Sequence, residues 1–284
     1  MRVTTWNCNL GLSKKFDLLN KYKSDVIIIQ ECEELPINFF ANKDFHWVGL
    51  NKQKGLGVIM NTQDSVIDSS YDPSLINFLP ISTPDINILA VWAYNHRAKR
   101  FGEGFNGNTI DALDHYGEFL MQDKKLSLVV GDFNNSIIWD KGSNKNNFYQ
   151  INAKLKSLGF LSNYHELKNM KFGKESAATF FHTKKESKPY HIDYIYSKGL
   201  QPSKLKVGSY KEWIEYSDHV PLVCDYSKDS SSSSSVSLFL SFLRASLPTI
   251  NLNFVSLKIS KFTTFLFFSF LFFLNVSFCM TSIW

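Results

Sequence analysis

Leu126-Ser127-Leu128-Val129-Val130-Gly131-Asp132-Phe133-Asn134 is the stretch on which the reading of this chain turns. Leu126 to Val130 form a short apolar run of the kind that builds a buried strand, and Gly131 ends it with an acid and an amide close behind. Side chains alternate between faces along an extended chain, so Asp132 and Asn134 are expected on one side. The same grammar recurs at Val26-Ile27-Ile28-Ile29-Gln30-Glu31, where an apolar strand delivers a carboxylate. His191-Ile192-Asp193-Tyr194-Ile195-Tyr196 alternates polar with apolar residues, which puts His191 on the face of Asp193. Arg2 to Trp6 run into Asn7, and Ala90 to Ala93 run into Tyr94, with His96 just behind. Far downstream, Ser217-Asp218-His219 sets an imidazole beside an acid.

Each signal alone has an ordinary explanation, since Asp and Asn favour turns and Ser-Asp suits a helix cap. Their order is more specific. Trp6-Asn7, Gln30-Glu31, Ala93-Tyr94, Gly131-Asp132-Phe133-Asn134, Ile192-Asp193-Tyr194 and Ser217-Asp218-His219 together resemble the endonuclease/exonuclease/phosphatase superfamily. That superfamily includes DNase I, exonuclease III, abasic-site endonucleases, sphingomyelinases and inositol phosphatases. The resemblance covers residues 1 to about 226. It implies an α/β, DNase I-like four-layer sandwich, with two packed mixed β-sheets flanked by helices. It also implies metal-dependent hydrolysis of phosphoric esters.

Hydrolysis of a phosphodiester brings an electron-rich nucleophile to an anion, so the site must neutralise charge and align a water with the leaving oxygen. A hard divalent cation meets the first need. Mg²⁺, with Mn²⁺ as a substitute, prefers oxygen ligands and is usually held by one or two carboxylates. Glu31 is the candidate ligand, because a carboxylate ending an apolar strand is costly unless compensated, and the resemblance also places the metal there. Asp218 is assigned either to the metal shell or to the leaving-group side. The resemblance further implies that Asp193 pairs with His219, orienting the ring and keeping it charged. Asp132 would then align or deprotonate the attacking water, Asn134 and Asn7 would hold water and phosphate, and Tyr94 would contact the phosphate or assist the leaving oxygen. His96 takes the place of Tyr94 if the strand register slips. His191 is a further candidate for substrate contact, its alternative being a backbone-bonded core histidine.

Composition divides the chain after Asp229. No Asp or Glu follows, so all 26 acidic residues lie in 1–229, with 28 of the 31 basic ones once Arg244, Lys258 and Lys261 are set aside, a net charge of +2. The whole-chain excess of +5 is therefore poor evidence for nucleic-acid binding. Local placement says more, since His96-Arg97-Ala98-Lys99-Arg100-Phe101 sets cations and an aromatic beside the expected site; His96, Arg97 and Arg100 are candidate substrate contacts. Cys8, Cys32, Cys224 and Cys279 form no metal or dithiol spacing, and a reducing compartment is the simpler inference. The other histidines, His46, His115, His165 and His182, show no ligand spacing.

Helical periodicity is visible over Thr109–Met121 and over Phe148–Leu158, the latter stopped by Gly159. Residues 1–229 are thus expected to form the catalytic domain, 230–261 a serine-rich linker with an apolar segment, and 262–284 a hydrophobic tail. That tail, uncharged and preceded by Lys258 and Lys261, has the length of a membrane anchor that would leave the enzyme in the cytoplasm. An alternative is read-through of AT-rich DNA, whose codons yield the same Phe, Leu, Ser, Ile and Asn bias. Met1 leads directly into the first catalytic strand, with no signal peptide in between. The leading expectation for function is a Mg²⁺-dependent phosphodiesterase of the endonuclease or exonuclease kind with nucleic acid as substrate. The alternative is a phosphoesterase acting on phospholipid or small phosphorylated molecules; no protein partner is indicated.

Overall fold

Runs rich in Val and Ile form the inner strands, because β-branched side chains pack well on a pleated surface and a run apolar on both faces must be covered on both. In the computed structural model, which describes residues 1–36, 38–94, 107–122, 126–142 and 147–227, β1 (Arg2–Asn7), β2 (Val26–Cys32), β3 (Asp44–Asn51) and β4 (Lys54–Met60) lie in a first sheet. A second sheet takes β5 (Val66–Ile67), β6 (Phe78–Ser82), β7 (Ile86–Trp92), β8 (Leu126–Asp132) and β9 (Leu161–Ser162). The pair β10 (Phe180–Phe181) and β11 (Pro189–Tyr190) stands apart, β12 (Asp193–Lys198) joins the second sheet, and β13 (Pro202–Val207) and β14 (Leu222–Tyr226) join the first. The strand orders are β13-β14-β1-β2-β4-β3 and β5-β6-β7-β8-β12-β9. Both sheets are mixed, with β1–β2 and β7–β8 parallel.

The short helices α1 (Asp17–Asn20), α2 (Thr109–His115), α3 (Gly117–Met121), α4 (Phe148–Ser157), α5 (Asn163–Lys168) and α6 (Tyr210–Trp213) complete the domain. Alternation along each strand divides the apolar residues among separate cores. Val3, Ile28, Val58, Ile88, Val130 and Ile195 fill the space between the sheets. Leu89, Val91 and Val129 turn outward to meet Leu113, Leu120 and Leu155 of α2, α3 and α4. On the far side of the first sheet, Ile27 and Ile29 meet Leu19 and Trp213 of α1 and α6. The result is the expected α/β sandwich of two mixed sheets between helices. The helix read over Thr109–Met121 divides at Tyr116, a fully buried ring whose hydroxyl accepts from the Asp72 amide, and Gly117 follows it.

Period-two alternation also locates the polar strand ends. Asn7 shares a face with Val3, Gln30 with Ile28, Asp132 with Val130 and Asp193 with Ile195, so all of them point between the sheets at one end of the sandwich. At the other end of β1 the pairing joins the two ends of the chain's described residues: β1 runs antiparallel to β14 with Arg2 opposite Asp225, and the two side chains form an ion pair. Residues Met1–Asp229 make one compact unit. Among the described residues no helix is long and apolar enough to cross a membrane. The anchor expected over 262–284 lies outside the described residues, as do His96, Arg97 and Arg100.

Candidate active site

Asp132 ends β8 in full burial, opposite Asp193 at the start of β12. Its approach depends on Gly131, whose φ is +148°; a Cβ there would lie 1.8 Å from the carbonyl oxygen of Val91. Only glycine lets β7 and β8 close to this distance. The carboxylate collects donors: Asn7 Nδ2 at 3.0 Å and Asn134 Nδ2 at 3.0 Å on Oδ2, and the Asn134 amide at 2.8 Å on Oδ1. Asn134 does meet Asp132, but by a turn rather than along an extended strand, since its own φ is +46° and its amide bonds back two residues. Its Nδ2 also donates to the Ala93 carbonyl at 3.0 Å, tying the end of β7 to the same point.

His219 faces this carboxylate from the loop before β14. Its Nδ1 is bonded to Asp193 Oδ2 at 2.9 Å, while Nε2 stands 3.9 Å from Asp132 Oδ2, beyond hydrogen-bond range. Burial pulls the imidazole pKa down, but the charges of Asp193 and Asp132 outweigh it and raise it to about 9. Burial pushes Asp132 up to about 7, Asp193 adds to the push, and the His219 charge opposes it. The pair is thus poised as a carboxylate able to take a proton beside an imidazolium able to give one.

His219 is held through its backbone as well as its ring. Ser217 Oγ donates to the Asn7 carbonyl at 2.7 Å and accepts the His219 amide at 3.0 Å, and Trp6 Nε1 donates to the His219 carbonyl at 3.0 Å. Phe180 packs its ring 4.6 Å from the imidazole. Thr179, fully buried, accepts both the Ile192 and Asp193 amides on Oγ1 at 3.1 Å, which fixes the backbone that carries Asp193. Thr179→Val keeps the shape and strands both donors, so unfolding free energy should fall by about 2 kcal/mol, read as a lower urea midpoint at constant slope. The sequence reading did not single out Thr179, Phe180 or Trp6 for the site. Thr179 lies just before β10, and its own segment carries no signal for this role without the pairing partner.

Glu31 occupies a β-bulge: the β2–β4 register shifts between Gln30 and Cys32, and Glu31 has φ +58°. A non-glycine residue held in that region is a strained position that the surrounding pairing must impose. Its carboxylate is an ion-pair partner of Lys54, with Nζ 3.1 Å from Oε2. Asp218 is half-buried, and its backbone carbonyl accepts the Phe181 amide at 2.7 Å. Tyr94 is half-buried beside Gly107, whose carbonyl accepts the Tyr94 amide at 3.3 Å, and burial raises its phenol pKa.

His191 does not join this group. Strand β12 begins only at Asp193, so the alternation that put His191 on its face does not extend back to it. The ring is buried instead, with Nδ1 donating to the Ala177 carbonyl at 2.8 Å and Tyr164 and Tyr194 packed 4.5 and 5.1 Å away; burial lowers its pKa. It takes the position of a backbone-bonded core histidine, the alternative the sequence left open.

Among the described residues, the one group of His, Cys, Asp and Glu donors close enough to share an ion is Asp132, Asp193 and His219, with ligand atoms within 4.8 Å of one another. A histidine ligand must offer an unprotonated nitrogen. His219, held charged between carboxylates, suits proton chemistry better than coordination. Glu31 fits a hard cation on different grounds: its carboxylate is fixed by a strained bulge, partly open, and already neutralised by a positive charge.

No protein-family model matches the sequence, and no curated protein matches it. Solved structures do. The 3'-5' exonuclease NExo from Neisseria meningitidis is similar at 16% identity and TM-score 0.61, and an AP endonuclease from Archaeoglobus fulgidus at 15% and 0.62. An endonuclease/exonuclease/phosphatase family protein from Leptotrichia buccalis gives 16% and 0.54. Each match covers 80% of this chain and 100% of the other. The chain shares the DNase I-like α/β fold of these structures.

Proposed function

We propose that this chain is a divalent-cation-dependent phosphodiesterase acting on nucleic acid, of the endonuclease or exonuclease kind. The observation that carries the reading is Asp132, buried beneath amide donors and facing an imidazolium that Asp193 holds in place. A second structure of the NExo enzyme, similar at 17% identity, is a 3' phosphatase bound to a product DNA hairpin, which makes nucleic acid the natural first substrate to try. Aromatic rings beside the site support it: Phe180 lies against His219, Tyr190 is 6.2 Å from Phe180, and Trp139 is 5.0 Å from Tyr190. Such a row offers stacking for a base or a sugar face.

In this mechanism Asp132 takes the proton of the attacking water at a carboxylate oxygen, held in line by Asn7 and Asn134. His219 directs its Nε2 proton to a non-bridging phosphoryl oxygen, and Asp193 keeps the ring oriented and charged through Nδ1. Tyr94 would contact the phosphate or assist the leaving oxygen. Glu31 would hold Mg²⁺, with Asp218 either in the metal shell or on the leaving-group side; the ion when bound neutralises charge on the phosphoryl group. The buried free thiols Cys8, Cys32 and Cys224 suit a reducing, cytoplasmic setting.

The full chain with Mg²⁺ should cut a supercoiled plasmid or an abasic duplex, and chelation should stop it until the ion is restored. Release of phosphocholine or inorganic phosphate with every DNA substrate intact would overturn the choice of nucleic acid. The pH profile of kcat/KM should be a bell. Activity rises as Asp132 loses its proton near 7 and falls as His219 loses its own near 9. A profile flat across both would remove this pair from the chemistry.

A further inference from the structure

The mechanism above leaves one charged contact at the site unused, the ion pair of Lys54 with Glu31. Lys54 opens β4, on the face of Leu56 and Val58 that looks between the sheets. Its Nζ lies 3.1 Å from Glu31 Oε2 and also 5.3 Å from the ring centre of Trp92. Trp92 is the last residue of β7, in register with Asp132. The ammonium is therefore set at the rim of the site, between the carboxylate of one sheet and the aromatic end of the other.

We propose that Lys54 is an exchangeable counter-cation for Glu31: its ammonium occupies the carboxylate until a divalent ion takes that place, and it thereby sets the affinity for the ion. This rests on the reading of Glu31 as the metal-holding residue. The backbone supports an exchange at a fixed position, because the bulge and its φ of +58° anchor Glu31 while Lys54 hangs on a flexible stem. Exposure supports it too, with the Lys54 side chain 43% accessible and that of Glu31 20%. An ion pair this open is weak and easily parted. While it lasts, it holds in place a carboxylate at the end of an apolar strand. When the divalent ion arrives, two positive charges compete for the same oxygen, and the ammonium must withdraw toward Trp92 and solvent. Lys54 is on this view a positioning residue, acting on the reaction through Glu31.

Titrating the full chain with Mn²⁺ and following the free ion by electron paramagnetic resonance tests this without reference to turnover. Lys54→Met keeps the aliphatic stem and drops the charge, and it should tighten binding about tenfold, the effect of removing one partly screened positive charge a few ångströms from the ion. Lys54→Arg should bind as the parent does, and the gain from Lys54→Met should shrink at high salt. Binding by Lys54→Met no tighter than the parent, with Glu31→Gln clearly weakened, would overturn the role of Lys54 alone. Equal binding by Glu31→Gln and the parent would overturn the metal assignment itself and this inference with it.

Discussion

Asp132→Asn should slow phosphodiester cleavage by about 10⁴-fold, the upper range for loss of a general base. The fold should stay in place. The neutral amide cannot take a proton from water, and it would turn its own NH₂ toward donors already aimed at the carboxylate, Asn7 Nδ2 and the amide and side chain of Asn134. His219→Ala should cost a similar factor, because it removes the proton donor and leaves Asp193 a buried charge without its partner. Groups that act as one unit lose most of their effect when any one is removed, so the double variant should be scarcely slower than either single one. Single-turnover cleavage of a labelled duplex gives these rates, with circular dichroism as the check on folding. If either single variant keeps a rate near that of the parent, Asp132 and His219 are not the reacting pair.

Gly131→Ala should lower the unfolding temperature by about 10 °C or prevent folding. The added Cβ would sit 1.8 Å from the Val91 carbonyl oxygen and 2.8 Å from its carbon, and both are backbone atoms in a paired strand that cannot step aside. The φ of +148° is itself closed to side chains. Strain of this kind costs about 3 kcal/mol or more, and in a domain of this size each kcal/mol moves the midpoint by about 2–4 °C. Differential scanning fluorimetry measures it directly; a midpoint unchanged from the parent would mean that β7 and β8 do not approach as described. Since Asp132 follows at once, any Gly131→Ala protein that does fold should also be slower.

The strand ends were legible because burial leaves a clear mark. Val26 to Ile29 and Leu126 to Val130 are apolar on both faces, as strands covered on both sides must be, and a polar residue ending such a run has few bland explanations. The polar ends of such runs named Asn7, Asp132 and Asp193 from the sequence, and the structure sets all three between the sheets. What did not show was whatever depends on a partner strand. The bulge at Glu31 exists because β2 and β4 slip register there, and nothing within Gln30-Glu31-Cys32 announces it. Lys54 reads as an exposed lysine until β4 is laid beside β2. His191 was assigned by extending a period two residues beyond the true start of β12, and Asn134 reached Asp132 through a turn rather than by strand spacing. The reading erred where the chain leaves regular geometry, which in this molecule is at the site itself.

Asn7 and His219 are supplied by opposite ends of the domain, and they are stitched together by Ser217, Trp6 and the β1–β14 seam. A chain still emerging from the ribosome, or one clipped by a protease before residue 217, would carry the carboxylate half of the machinery without the imidazole. Such an order of assembly leaves no partial chain with both halves of the site: they come together only when the last strand has paired.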